Sequence, residues 1–208
     1  MQLKTYLALG DSYTIGEQVP LTESFPYQTI QLLRKADVEH ENNRHVFAAP
    51  EIIAKTGWTT DELLAAIGQH IFLSNYDIVS LLIGVNNQYR GRTAEEFKTE
   101  FEILLQTAVQ LAGGISSNVY VLSIPDWGIT PFNKDRDANI IAKEIDAFNK
   151  VCADKAAALG TNYIDITDDQ RIDGKNAEFL AADGLHPSGK EYQKWASKLS
   201  QRISEGLK

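Results

Sequence analysis

A serine near one end of the chain and an aspartate-histidine pair near the other have the side chains needed for nucleophilic acyl transfer. Gly10-Asp11-Ser12 closes a short apolar run, Tyr6 to Leu9, so the Ser12 hydroxyl falls at a strand-to-helix turn, where a nucleophile can be exposed. Asp183-Gly184-Leu185-His186 puts a carboxylate and an imidazole three residues apart on one turn. A hydroxyl is a poor nucleophile until a positioned base removes its proton, and imidazole, which titrates near neutrality, can take that proton and give it back. Together the three residues match a Ser-His-Asp hydrolase.

The elements that position them alternate. Near-continuous apolar runs at Lys4 to Leu9, Ile52 to Lys55, Ile78 to Ile83, Val119 to Ile124 and Tyr163 to Ile166 predict five strands buried on both faces. Between them lie segments of helical period. Thr93 to Ala112 carries Phe97, Phe101, Leu104, Leu105, Ala108 and Leu111 at three- and four-residue steps, and Asp137 to Leu159 carries Ile141, Ile145, Phe148 and Cys152. Gly113-Gly114 and Gly160 are placed to end these helices. The expected fold is α/β, a parallel sheet between helices joined by right-handed crossovers. No repeat or linker divides the chain, so residues 1–208 are expected to form one domain.

Bulk properties narrow the partners. A hydrophobic content of 43% with 23% charged residues suits a water-soluble globular protein, and no run approaches the roughly 18 apolar residues of a membrane span. A net charge of -8 disfavours nucleic acid and anionic membranes. The lone Cys152 excludes an internal disulfide and continues a core stripe. The nine mostly strand-like residues before Gly10 do not fit a secretory leader, so the expected location is cytoplasmic.

In open α/β sheets, ligands sit outside the carboxyl ends of the strands, and the informative residues fall at that edge. Ser12 follows the first predicted strand, Gly57 and Trp58 the second, Gly84 to Asn87 the third and Asp126-Trp127-Gly128 the fourth. In these blocks the chain resembles the SGNH or GDSL hydrolases. Gly10-Asp11-Ser12 is similar to that family's first block, Gly57 in Thr56-Gly57-Trp58-Thr59-Thr60 to the second, Gly84-Val85-Asn86 to the third, and Asp183 with His186 to the last. The resemblance implies a flavodoxin-like three-layer fold with a five-stranded sheet. It further implies Ser12 as nucleophile, His186 as base and then acid, and Asp183 as the group that orients the imidazole. An oxyanion hole would come from the backbone N–H groups of Ser12 and Gly57 and the Asn86 amide. Asn87 departs from the pattern, since the family commonly has Asp there, and the change is expected to alter hydrogen bonding or substrate contacts more than chemistry.

Other candidates are weaker. Asp11 is expected to shape the turn, and His40, His45 and His70 to be ordinary surface or packing residues. Asp165, Asp168, Asp169 and Asp173 lack the ligand order of a calcium loop, no zinc pattern occurs, and the implied chemistry needs neither metal nor cofactor. Trp58, Asn87, Tyr89, Arg90, Trp127 and Phe132 lie in or just after the rim loops and are the candidate substrate contacts. The expected activity is hydrolysis of a small acyl or acetyl ester, with a lysophospholipid or acyl thioester as the alternative substrate and a non-catalytic binding module as the alternative class. The sequence leaves the oligomeric state open.

Overall fold

The computed structural model describes residues 2–39 and 45–206; His40 lies outside them. Among the described residues, seven strands and eight helices run in the order β1 (Gln2–Lys4), β2 (Tyr6–Gly10), α1 (Ser12–Ile15), α2 (Phe25–Glu39), β3 (His45–Phe47), β4 (Glu51–Ala54), α3 (Thr60–Ile67), β5 (Ile78–Leu82), α4 (Val85–Tyr89), α5 (Ala94–Leu111), β6 (Val119–Leu122), α6 (Ala138–Leu159), β7 (Asn162–Ile164), α7 (Thr167–Asp173) and α8 (Gly189–Gly206). Short 3-10 turns complete the connections, among them Trp127–Ile129.

Five strands form one parallel sheet in the order β4-β2-β5-β6-β7. Every residue of β2, β5 and β6 is buried, which is why these segments read as near-continuous apolar runs and not as alternating ones; buried Ser80 of β5 is satisfied by the Tyr6 hydroxyl at 2.8 Å. On one flank α2 packs against α8, and on the other α5 packs between α3 and α6, giving the three-layer sandwich expected from the sequence. The helical stripes point as their spacing requires: Phe97, Phe101, Leu104, Leu105 and Ala108 of α5, and Ile141, Ile145, Phe148 and Cys152 of α6, are all buried.

The expected first strand, Lys4 to Leu9, is two strands. The Asp77 carboxylate accepts both the Thr5 backbone N–H, at 2.9 Å, and the Thr5 hydroxyl, at 3.0 Å, which breaks the ladder at Thr5. Lys4, paired with Asp77 at 3.1 Å, therefore belongs to β1, which pairs in parallel with β3, Leu3 opposite Val46, in a second small sheet. The starts at Ile78 and Val119 fall where expected, and the other strand ends shift by one or two residues.

The order of connection places a cleft. From β2 the chain crosses to β4 on one side and then to β5 on the other, so the carboxyl ends of β2 and β5 flank a topological switch point, the usual ligand position in such sheets. Ser12 emerges from β2 and Asn86 from β5.

Candidate active site

Ser12 opens α1 directly after β2. Asp11 caps this helix, its Oδ1 accepting the Tyr13 backbone N–H at 3.0 Å, and Gly16 ends it after one turn in the left-handed conformation. Only 5% of Ser12 is exposed, and that surface lines a cleft of about 170 Å3 together with His186, Gly57 and Asn86.

His186 comes from a loop three residues ahead of α8. Its Nδ1 lies 2.6 Å from Asp183 Oδ2, while Asp183 Oδ1 accepts the backbone N–H groups of Leu185 and His186, each at 3.0 Å. Partial burial of Asp183 works against ionisation, but the His186 ring and these two amides outweigh it and hold the carboxyl below its ordinary value. An ionised carboxylate can only accept, so the bond assigns the proton to Nδ1 and leaves Nε2 as the basic nitrogen. The Tyr13 ring packs 5.6 Å from the imidazole. Burial, with the Asp11, Asp183 and Asp126 charges, raises the Tyr13 phenol, so it backs the histidine as a neutral wall.

The histidine loop is clamped. Ala181 N–H donates to the His186 carbonyl at 2.8 Å, Ser188 N–H to the Phe179 carbonyl at 2.9 Å, and Phe132 N–H to the Gly184 carbonyl at 3.1 Å. Ser12 and His186 line the same cleft but do not hydrogen-bond to each other. In unliganded enzymes such contacts are often long and tighten only when substrate binds.

The expected oxyanion donors gather on the same cleft. Gly57 has φ of 85°, a conformation strained for any residue with a side chain, and its carbonyl turns outward to accept Arg90 Nη2 at 2.6 Å. Among the described residues neither the Ser12 nor the Gly57 backbone N–H has a hydrogen-bond partner. Asn86 Nδ2 donates one hydrogen to the Trp58 carbonyl at 3.0 Å, which fixes the amide and leaves its second hydrogen. Gly84 lets α4 start this close to the sheet: φ is 131°, and a Cβ there would lie 2.7 Å from Ile124 Cδ1 and 2.8 Å from the Phe97 ring.

Of the candidate substrate contacts, Tyr89, Trp127 and Phe132 line the cleft, joined by Tyr13, Thr56, Val85 and Leu185, which spacing alone did not single out. Tyr89 and Trp127 meet edge to face at 5.1 Å. Trp127 Nε1 donates to buried Gln88 at 2.7 Å, and Gln88 donates to Glu144 at 2.6 Å. The turn carrying Trp127 is fixed by buried Asp126, which pairs with Arg171 at 2.9 Å and accepts Gly128 N–H.

Three candidates lie elsewhere. Asn87 is fully buried and spends its amide on Thr60, accepting the backbone N–H at 3.1 Å and donating to the hydroxyl at 2.6 Å, so it locks α4 to the start of α3. Arg90 is committed to Gly57 and, at 3.3 Å, to Glu62. Trp58 packs on the core and offers the site only its carbonyl. Among the four aspartates, Asp165 accepts the Thr167 N–H at the start of α7, while Asp169 and Asp173 pair with Lys198 and Lys194. Buried Cys152, its thiol pushed up by desolvation, belongs to the core. His70 pairs with Glu51 and His45 with Asp37, both away from the cleft.

Comparison with known proteins identifies the family and the fold. A family model described as the GDSL-like lipase/acylhydrolase family matches residues 8–194. Solved structures of the same fold include TesA (18% identity, 97% of this chain and 99% of that chain, TM-score 0.71) and the lipase/acylhydrolase from Enterococcus faecalis (21%, 99% and 97%, 0.68). A third is Axe2, an acetyl-xylooligosaccharide esterase from Geobacillus (17%, 98% and 96%, 0.69). No curated protein sequence matches. With four blocks converging on one cleft and a match over most of its length, the chain belongs to the GDSL-like lipase/acylhydrolase family.

Proposed function

We propose that the chain is a serine esterase that transfers a short acyl group from a small ester to Ser12 and then to water. The observation that carries this reading is the 2.6 Å bond between His186 Nδ1 and Asp183 Oδ2 beside the cleft that Ser12 lines. Ser12 Oγ attacks the ester carbonyl as His186 Nε2 takes its proton, and the imidazolium so formed is held by the Asp183 carboxylate. The developing oxyanion is met by the Ser12 and Gly57 backbone N–H groups and the remaining amide hydrogen of Asn86. Collapse of the intermediate breaks the ester C–O bond, and the proton passes from His186 to the leaving alkoxide. Water, deprotonated by the same nitrogen, then releases the acid and regenerates Ser12.

Cleft size supports a short acyl group. About 170 Å3 lined by Val85, Tyr89, Trp127, Phe132 and Leu185 is enough to seat an acetyl or small aliphatic group. A fluorophosphonate should label Ser12 of the folded protein, and Ser12→Ala should abolish both the label and the hydrolysis of activated short-chain esters. Absence of both from the intact protein refutes the reading.

A further inference from the structure

Arg136 is exposed, stacks on two rings that line the cleft and, among the described residues, has no carboxylate partner. Its guanidinium carbon lies 4.6 Å from the centre of the Tyr89 ring and 5.3 Å from that of Trp127, the two rings that form the aromatic wall. Nη1 donates to the Tyr89 carbonyl at 3.2 Å, and among the described residues its other N–H groups have no protein partner. Arg34 also bonds only a backbone carbonyl, that of Phe47, through two of its nitrogens, whereas Arg90, Arg92, Arg171 and Arg202 each pair with at least one carboxylate.

The position of Arg136 is fixed as well as its head group. Asn133 Oδ1 accepts the Arg136 backbone N–H at 3.1 Å, and Asn133 Nδ2 donates to both the Arg136 and the Gly128 carbonyls, each at 2.9 Å, which pins the segment to the Trp127 turn. Of the neighbouring acids, Asp137 is occupied in capping α6 through Asn139 N–H and Asp135 is exposed; Lys134 adds a second exposed cation. In a chain of net charge -8, this holds a cation next to the substrate cleft with donors to spare. Such a planar fork, already ordered by ring faces, loses little freedom on gripping an anion.

We propose that Arg136 is an anion-recognition point at the rim of the Ser12 cleft, and that the ester turned over best carries a carboxylate or phosphate beyond the aromatic wall. This rests on the esterase reading above. Matched pairs test it. One pair varies the acyl side, p-nitrophenyl hemiglutarate against p-nitrophenyl valerate, and the other the alcohol side, acetylglycerol phosphate against acetylglycerol. In at least one pair the wild type should favour the anionic member, and Arg136→Gln should lower the anionic-to-neutral ratio of kcat/KM by about tenfold or more, the size of a charge-assisted contact. Arg136→Lys should keep part of the ratio, and added salt should erode it. The pair that responds identifies which side of the ester reaches Arg136. Turnover of both pairs with ratios unmoved by Arg136→Gln overturns the proposal, making Arg136 only a brace for the wall. Absence of any Ser12-dependent turnover overturns the esterase reading, and this proposal with it.

Discussion

Replacing Asp11 with asparagine should make the protein more stable at pH 8 than it is with the natural residue. Asp11 is 1% exposed, and while Oδ1 accepts the Tyr13 N–H, Oδ2 has no hydrogen-bond partner among the described residues. Burial raises the carboxyl from its ordinary 3.8 to about 7, against the opposing effect of the backbone N–H bonds. Between these two values the folded state holds a proton that the unfolded chain releases, so stability falls as pH rises through that window and the full loss is present above it. At about 1.4 kcal/mol per pH unit, the penalty is about 2 kcal/mol at pH 5 and about 4 kcal/mol at pH 8.

Asparagine caps a helix as well as aspartate does and cannot ionise, but its buried amide hydrogens would cost about 1 to 3 kcal/mol where no acceptor faces them. The variant should therefore gain about 1 to 3 kcal/mol over the natural protein at pH 8 and lose that advantage by pH 5. Urea unfolding of both proteins at half-unit steps from pH 5 to 8, compared at equal m-values, isolates the term, because every other titrating group is common to both. If the stability difference between the two proteins stays flat across that range, Asp11 is not the source and its burial does not perturb it as argued.

Other expectations concern the site and its support. Asn86→Ala removes one oxyanion donor and should lower kcat on an activated ester on the order of a hundredfold or more with KM little changed, measured by initial rates. Asp183→Asn exchanges an acceptor for a donor opposite Nδ1 and should cut kcat by orders of magnitude near neutrality, with partial recovery at high pH; an unaltered pH-rate profile would remove Asp183 from the mechanism. Gly84→Ala forces a Cβ against Phe97 and Ile124 at a φ that disfavours it, and thermal melts should show a loss of about 2 kcal/mol or more.

The parts of the fold legible in the sequence are those where one physical demand dominates. Strands β2, β5 and β6 are buried on both faces, so their side chains are apolar or, as with Ser80 and Tyr6, hydrogen-bonded to each other, and α5 and α6 present a single face to the sheet. The pairing of β1 with β3 was not legible, because two three-residue strands carry no periodicity and their separation depends on Asp77, more than seventy residues from Thr5. At the candidate site, Ser12, Gly57, Asn86 and His186 line one cleft and Asp183 bonds His186, a convergence of blocks that could be singled out in the sequence because the proposed chemistry restricts residue type. Asn87 and Arg90 were misleading for a shared reason: both are polar and follow a strand end, yet Thr60 and Glu62 of α3, together with the Gly57 carbonyl, use up their hydrogen bonds. The lining by Tyr13 and Leu185 was hidden for the opposite reason, since a ring or a leucine beside a motif looks like any core residue until the chain closes.

Asp183 and His186 share one four-residue turn, so their mutual geometry is a local property of the backbone, insensitive to how the larger layers settle. The proposed nucleophile and oxyanion donors are likewise anchored to β2, the turn after β4 and α4. What joins the two halves across the cleft is a single separation, that between the Ser12 hydroxyl and the imidazole. On the proposed reading, engagement of the base depends on that one separation, and what sets it is the trio of backbone bonds that clamp the 181–188 loop, Phe132 N–H to the Gly184 carbonyl among them.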